Sequence, residues 1–151
     1  MKLLRFLTAE QLMGRLQTFL AALWWGSLTT LGFEVVPLLF IHLETPAVAG
    51  QMAAKLFSAQ TWVSVVCGLL LVLAQQLQSR QQGMLQNPSL WVLAGLVSAC
   101  LLEFLVVPHI VARDNLILWH NLGSAMYLFQ WICAAKVIWD GPKPRKWVPK
   151  F

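Results

Sequence analysis

Long stretches without charge set the architecture of this chain. Between Arg15 and Glu44 the only charged residue is Glu34, and between Lys55 and Arg80 there is none. Between Arg80 and Arg113 the only one is Glu103, and between Asp114 and Lys136 there is again none. Each gap holds an apolar run close to the roughly 20 residues that an α-helix needs to cross a bilayer. The spacing predicts helices near 16–40, 57–76, 89–110 and 117–139. The runs are continuous rather than alternating, so the strands of a membrane barrel are excluded. Hydrophobic residues make up 58% of the 151 and charged residues 11%, against about 25% charged in soluble domains. The expected fold is all-α, a four-helix transmembrane bundle forming one integral membrane domain over 1–151.

Lys2 and Arg5 give the chain a basic start. The apolar run that follows is longer than the roughly 7–15 residues of a signal sequence. Glu10 and Arg15 also interrupt before it, so the first span is expected to be permanent. Residues 1–15 read as an interfacial segment and residues 140–151 as a basic tail. The tail GPKPRKWVPKF carries three prolines and cannot be helical throughout.

Lysine and arginine set orientation. They concentrate in the N-terminal segment, at Arg80 in the 77–88 loop and in the C-terminal tail, whereas the two other loops hold only Lys55 and Arg113. Both termini are therefore expected in the cytoplasm of a bacterium, with the protein in its inner membrane. The net charge of +5 follows from these flanks. The basic residues form no patch interleaved with aromatics, so nucleic acid is not an expected partner. The lipid bilayer is, and the small-residue stripe Ala94, Ser98 with Gly95, Ala99 could join copies into a homo-oligomer.

Two segments look alike. Gly32-Phe33-Glu34-Val35-Val36-Pro37 ends the first span, and Leu102-Glu103-Phe104-Leu105-Val106-Val107-Pro108 ends the third. Each is followed by a loop and another helix, which suggests two repeated helical hairpins. Proline lacks a donor and clashes one turn back, so Pro37 and Pro108 are expected to end or kink their helices.

The sharpest candidates for function are the intramembrane carboxylates. Such a group normally faces the bundle interior. Glu34 shares a stripe with Thr30, Ser27 and Gly26, and Glu103 shares one with Ala99 and Gly95. His42, His109 and His120 gather near the same depth, and His120 stacks with Ser124 and Tyr127 beside Asn121. The expectation is one buried polar cluster of Glu34, Glu103 and His120, with His109 and His42 close by and Thr30, Asn121, Ser124 and Tyr127 in support. Imidazole and carboxylate could hold Zn, Cu or Fe or relay protons. Alternatively, the carboxylates only fix packing through hydrogen bonds. No compact metal-ligand or haem motif is present, so the cofactor is left open. There is no Ser–His–Asp order, phosphate loop or CxxC pair, and no catalytic residue is assigned. Cys67, Cys100 and Cys133 sit in the last three spans and read as packing residues.

Two further stretches carry a resemblance. Trp24-Trp25-Gly26 through Gly32-Phe33-Glu34-Val35-Val36-Pro37-Leu38-Leu39-Phe40, with Ala49-Gly50 and Leu56-Phe57, resembles a small bacterial membrane-protein family of unknown function related to eukaryotic transmembrane protein 205. Val107-Pro108 and Trp119-His120-Asn121-Leu122-Gly123-Ser124 are similar to the second half of that family. The first helix is more distantly similar to membrane-embedded copper resistance protein D and to the haem-associated protoporphyrinogen oxidase of bacteria. That enzyme family has a His near the start of its first helix, whereas the first His here is His42. The family carries no settled activity. The residues leave three readings: an inner-membrane protein whose Glu/His cluster serves metal or ion handling or transport, a haem- or metal-dependent membrane oxidoreductase of the copper-resistance-D-like type, or a structural subunit of a larger complex.

Overall fold

The computed structural model describes residues 2–81, 89–112 and 115–142, with side chains over 11–80, 89–112 and 115–142. Every regular element in these residues is helical, and four helices are long and apolar enough to cross a membrane. The expected basic tail lies outside the described residues from 143 onward.

The first helix runs without a break over Lys2–Thr30, passes through a π-helical turn at Leu31–Val35 and continues over Val36–His42. The segment expected to lie apart at the interface is thus continuous with the first span. The second helix covers Pro46–Gln81, so most of the expected 41–55 loop is helical. The local chemistry explains the early start. The Thr45 hydroxyl accepts the Val48 N–H at 3.3 Å, Pro46 opens the first turn, and Ala47, Ala49, Ala53 and Ala54 favour helix.

The third helix covers Leu90–Leu101, a π turn at Leu102–Val106 and then Val107–Ala112. The fourth covers Leu116–Asp140. It stops at Gly141, whose φ of 59° suits a residue without Cβ. Lys136 and Asp140 close its last turn with a 2.8 Å ion pair.

The prolines do not end their helices. Each is preceded by a π turn, in which Val36 N–H donates to Leu31 O and Val107 N–H to Leu102 O, five residues back. The helix then continues beyond Pro37 to His42 and beyond Pro108 to Ala112. Proline supplies no N–H, and its ring would collide with the carbonyl one turn back. The wider turn accommodates the ring and re-pairs the displaced carbonyls, as helices in lipid require.

Each helix packs against the next in sequence, and the fourth closes against the first. The centre of this square is Leu20, Ala21, Trp24, Leu28, Cys67, Leu71, Val92, Ala134 and Val137. Trp24 reaches across the diagonal from the first helix to the third. A Cβ on Gly95 would stand 2.6 Å from Trp24 Cη2, so a large residue on one helix fills the space left by a small one opposite. Three of the four residues of the stripe expected to join copies are thereby used inside the bundle, and Ala94 is half-buried. Gly95, Ser98 and Ala99 are buried, and Ser98 donates to the Met126 carbonyl at 3.1 Å.

Candidate functional site

Among the described residues the buried polar residues of the spans carry amides and hydroxyls. Ser27 on the first helix donates to the Trp24 carbonyl at 2.9 Å and accepts from Gln60 Nε2 at 2.9 Å. Ser64, one turn along the second helix, donates to the Gln60 carbonyl at 3.0 Å and accepts from Gln130 Nε2 at 2.7 Å. This chain ties the first, second and fourth helices together through the middle of the bundle. Gln60, Ser64 and Gln130 are all buried. A second group lies beside it. Tyr127 Oη donates to the Leu28 carbonyl at 2.7 Å, and Trp131 Nε1 donates to Thr29 Oγ1 at 2.9 Å. Further along, Gln17 donates to Gln78 at 2.7 Å. Polar side chains of this kind hold membrane helices together, at about 0.6 kcal/mol for an average pair.

The expected cluster of acids and imidazoles is not assembled inside. Glu34 and His120 are exposed on the outside of the bundle, as are Thr30, Asn121 and Ser124. His42 is exposed, with Nδ1 3.0 Å from the Leu38 carbonyl of its own helix. His109 is half-buried and stacks on Trp119, with ring centroids 4.0 Å apart and planes 8° from parallel. Tyr127 is half-buried and belongs to the hydroxyl group just described. Glu103 alone among the three principal candidates turns inward. It is half-buried, and its Oε2 is buried without a hydrogen-bond partner. Among the described residues no three His, Cys, Asp or Glu side chains stand where they could share a metal ion. Cys67, Cys100 and Cys133 are free.

The π turns explain why the two carboxylates part. The turns align at Leu31 with Leu102 and at Pro37 with Pro108. Glu34 is then the fourth residue of its turn and Glu103 the second. With somewhat more than four residues per π turn, two positions amount to about half a rotation. One carboxylate faces out and the other in. They do share a depth. Gly32 lies against the Tyr127 ring, which a Cβ would meet at 2.6 Å, and Glu34 is two residues beyond Gly32. Gly123, one turn before Tyr127, lies against Val106, 3.2 Å from a Cβ on that glycine, and Glu103 is three residues below Val106.

Residues 19–115 match a family model described as a domain of unknown function, DUF4149. The chain belongs to the DUF4149 family. No curated protein and no solved structure matches it. The matched stretch of this DUF4149 protein takes in both π turns, Glu34, Lys55 and Glu103, and stops before the fourth helix. Two residues stand out beyond the candidates read from the sequence. Gln130 is an uncharged amide in the middle of Leu128-Phe129-Gln130-Trp131-Ile132, and its place in an apolar run is the available signal. Lys55 belongs to the second helix rather than to a loop and is exposed. It precedes Phe57, whose ring packs on Tyr127 at 5.0 Å.

Proposed function

We propose that this DUF4149 protein is a multi-pass bacterial inner-membrane protein that works by association within the bilayer, as a structural or assembly component. The carrying observation is the placement of charge. The interior is closed by amide and hydroxyl pairs, whereas Glu34 stands on the outer surface of a span. A carboxylate at the centre of a lipid-facing helix costs a few kcal/mol on insertion scales, and a neighbouring protein removes that cost.

Phe33, exposed beside Glu34, is the position to test. A photo-cross-linking amino acid placed there in living cells should give a covalent adduct, and the Glu34→Gln variant should give at least threefold less. A wild-type protein that yields no adduct at Phe33 overturns the reading.

Glu103 supports a second reading, ion or metal handling, because its inward oxygen lacks a partner. Metal analysis of the purified protein decides it, since a stoichiometric metal lost in Glu103→Gln would favour this reading over assembly. The resemblance to transmembrane protein 205 names no activity. The likeness of the first helix to copper resistance protein D keeps a haem- or metal-dependent oxidoreductase as an alternative, and a Soret band after expression with haem would favour it.

The lysine and arginine distribution supports cytoplasmic termini. Reporter fusions at residue 151 and between the first two helices should report cytoplasm and periplasm respectively. The reverse result would overturn that orientation.

A further inference from the structure

Glu34 and Lys55 are both exposed and lie on neighbouring antiparallel helices. Glu34 is two residues beyond Gly32 and Lys55 two residues before Phe57. Gly32 and Phe57 both touch the Tyr127 ring. At about 1.5 Å of rise per residue, both charges therefore lie about 3 Å to the same side of that ring. They share one depth.

That depth is inside the apolar belt. Exposed Phe40 and Ile41 lie further out on the first helix, and exposed Ile117 lies further out on the fourth. At the other end Trp139 is exposed. From Ile117 to Trp139 the fourth helix rises about 33 Å, close to the roughly 30 Å thickness of the hydrocarbon layer. Neither Glu34 nor Lys55 forms an ion pair or hydrogen bond with any described residue of its own chain. One turn to either side the surface is uncharged, and apart from Gln51 it is apolar or small. Thr30 and Leu38 flank Glu34, and Met52 and Ala59 flank Lys55, all exposed.

From this we infer that the face formed by the first two helices binds a second copy of the chain, with Glu34 of each protomer paired to Lys55 of the other. Opposite charges at one depth on adjacent helices are what a two-fold axis along the membrane normal requires. Copies that insert the same way keep each residue at its own depth, and a two-fold interface makes every contact twice. The two pairs hold each other's charge out of the lipid, and the small residues Thr30 and Ala59 let the helices approach. The inference rests on the association reading above and names its partner.

Single-molecule photobleaching of the full chain in lipid vesicles, over a range of protein-to-lipid ratios, tests it. The wild type should dimerise. Glu34→Lys and Lys55→Glu should each weaken the dimer at least tenfold, since each sets like charges opposite one another. The double reversal Glu34→Lys with Lys55→Glu should restore dimerisation to within threefold. The milder Glu34→Gln with Lys55→Met also removes both pairs, and should weaken the dimer even if a reversal variant does not insert. A monomeric wild type overturns the inference, as does a dimer indifferent to all four variants or a double reversal no better than either single. A monomer in vesicles whose Phe33 cross-links to a different protein in cells overturns the self-pairing alone. A monomer that cross-links to nothing overturns the association reading as well.

Discussion

Replacing Trp24 with alanine is expected to lower stability by about 3 kcal/mol, the lower end of the range for emptying a buried aromatic site. Trp24 is fully buried, and its ring spans the bundle to rest on Gly95. Lipid tails are as apolar as the interior, so little of the loss is transfer of surface from water. The loss comes from dispersion contacts and from a cavity that four crossing helices cannot close. The indole N–H has no hydrogen-bond partner, so its removal adds no cost. That places the estimate at the low end. Unfolding in detergent micelles by circular dichroism checks the value. Trp24→Phe, which keeps a ring in the site, should lose less than half as much. A Trp24→Ala protein within 0.5 kcal/mol of the wild type would mean that the core repacks freely.

The second large effect is expected at Gly95. A methyl group there would stand 2.6 Å from Trp24 Cη2, 2.9 Å from Cζ2 and 3.3 Å from the Cys133 Cβ. Two opposed contributions decide the sign. Alanine is favoured over glycine within a helix by about 1 kcal/mol. Overpacking a dense core costs about 1–3 kcal/mol. Trp24 is rigid and fully buried, and Cys133 meets the methyl through its own Cβ, so neither neighbour can give way. With neither neighbour yielding, the overpacking cost falls in the upper part of its range, and Gly95→Ala should destabilise by up to about 2 kcal/mol net. In a Trp24→Ala background the obstacle is gone, and Gly95→Ala should become neutral or stabilising. That reversal of sign in a double-mutant cycle is the decisive reading. Equal costs in both backgrounds would refute the contact between the two residues.

Much of the fold is legible in the sequence, because charge is what a bilayer penalises most. The gaps bounded by Arg15, Lys55, Arg80, Arg113 and Lys136 mark four spans, and four apolar helices cover them. The start of the second helix is legible only through capping chemistry. Thr45-Pro46 followed by an alanine-rich stretch is a helix start, although Lys55 makes the same stretch resemble a loop. The direction of Glu34 is not legible by counting residues. The stripe of Glu34, Thr30, Ser27 and Gly26 is small, but the core face of the first helix is the large one, Trp24 and Leu28, with Trp24 set against Gly95 of the third. Past Leu31 the π turn changes the count again. Glu103 lies nearer to its expected side, because its stripe of Gly95 and Ala99 is the buried one. Gln130 leaves no trace in a pattern of charges, yet it closes the hydrogen-bonded chain through the middle of the bundle.

The two π turns also bear on how such a chain can vary. Each holds one residue more than an ordinary helical turn would. Losing that residue would turn everything distal to it by about 100°, the angle of a single helical step, while the half of the bundle around Trp24 kept its packing. Losing it would also set the Pro37 or Pro108 ring against the carbonyl one turn back, so at Leu31–Val35 and Leu102–Val106 the extra residue and the proline must change together. Such a paired change would re-aim Val36–His42 or Val107–Ala112 toward lipid or toward a neighbour, apart from the core that supports them.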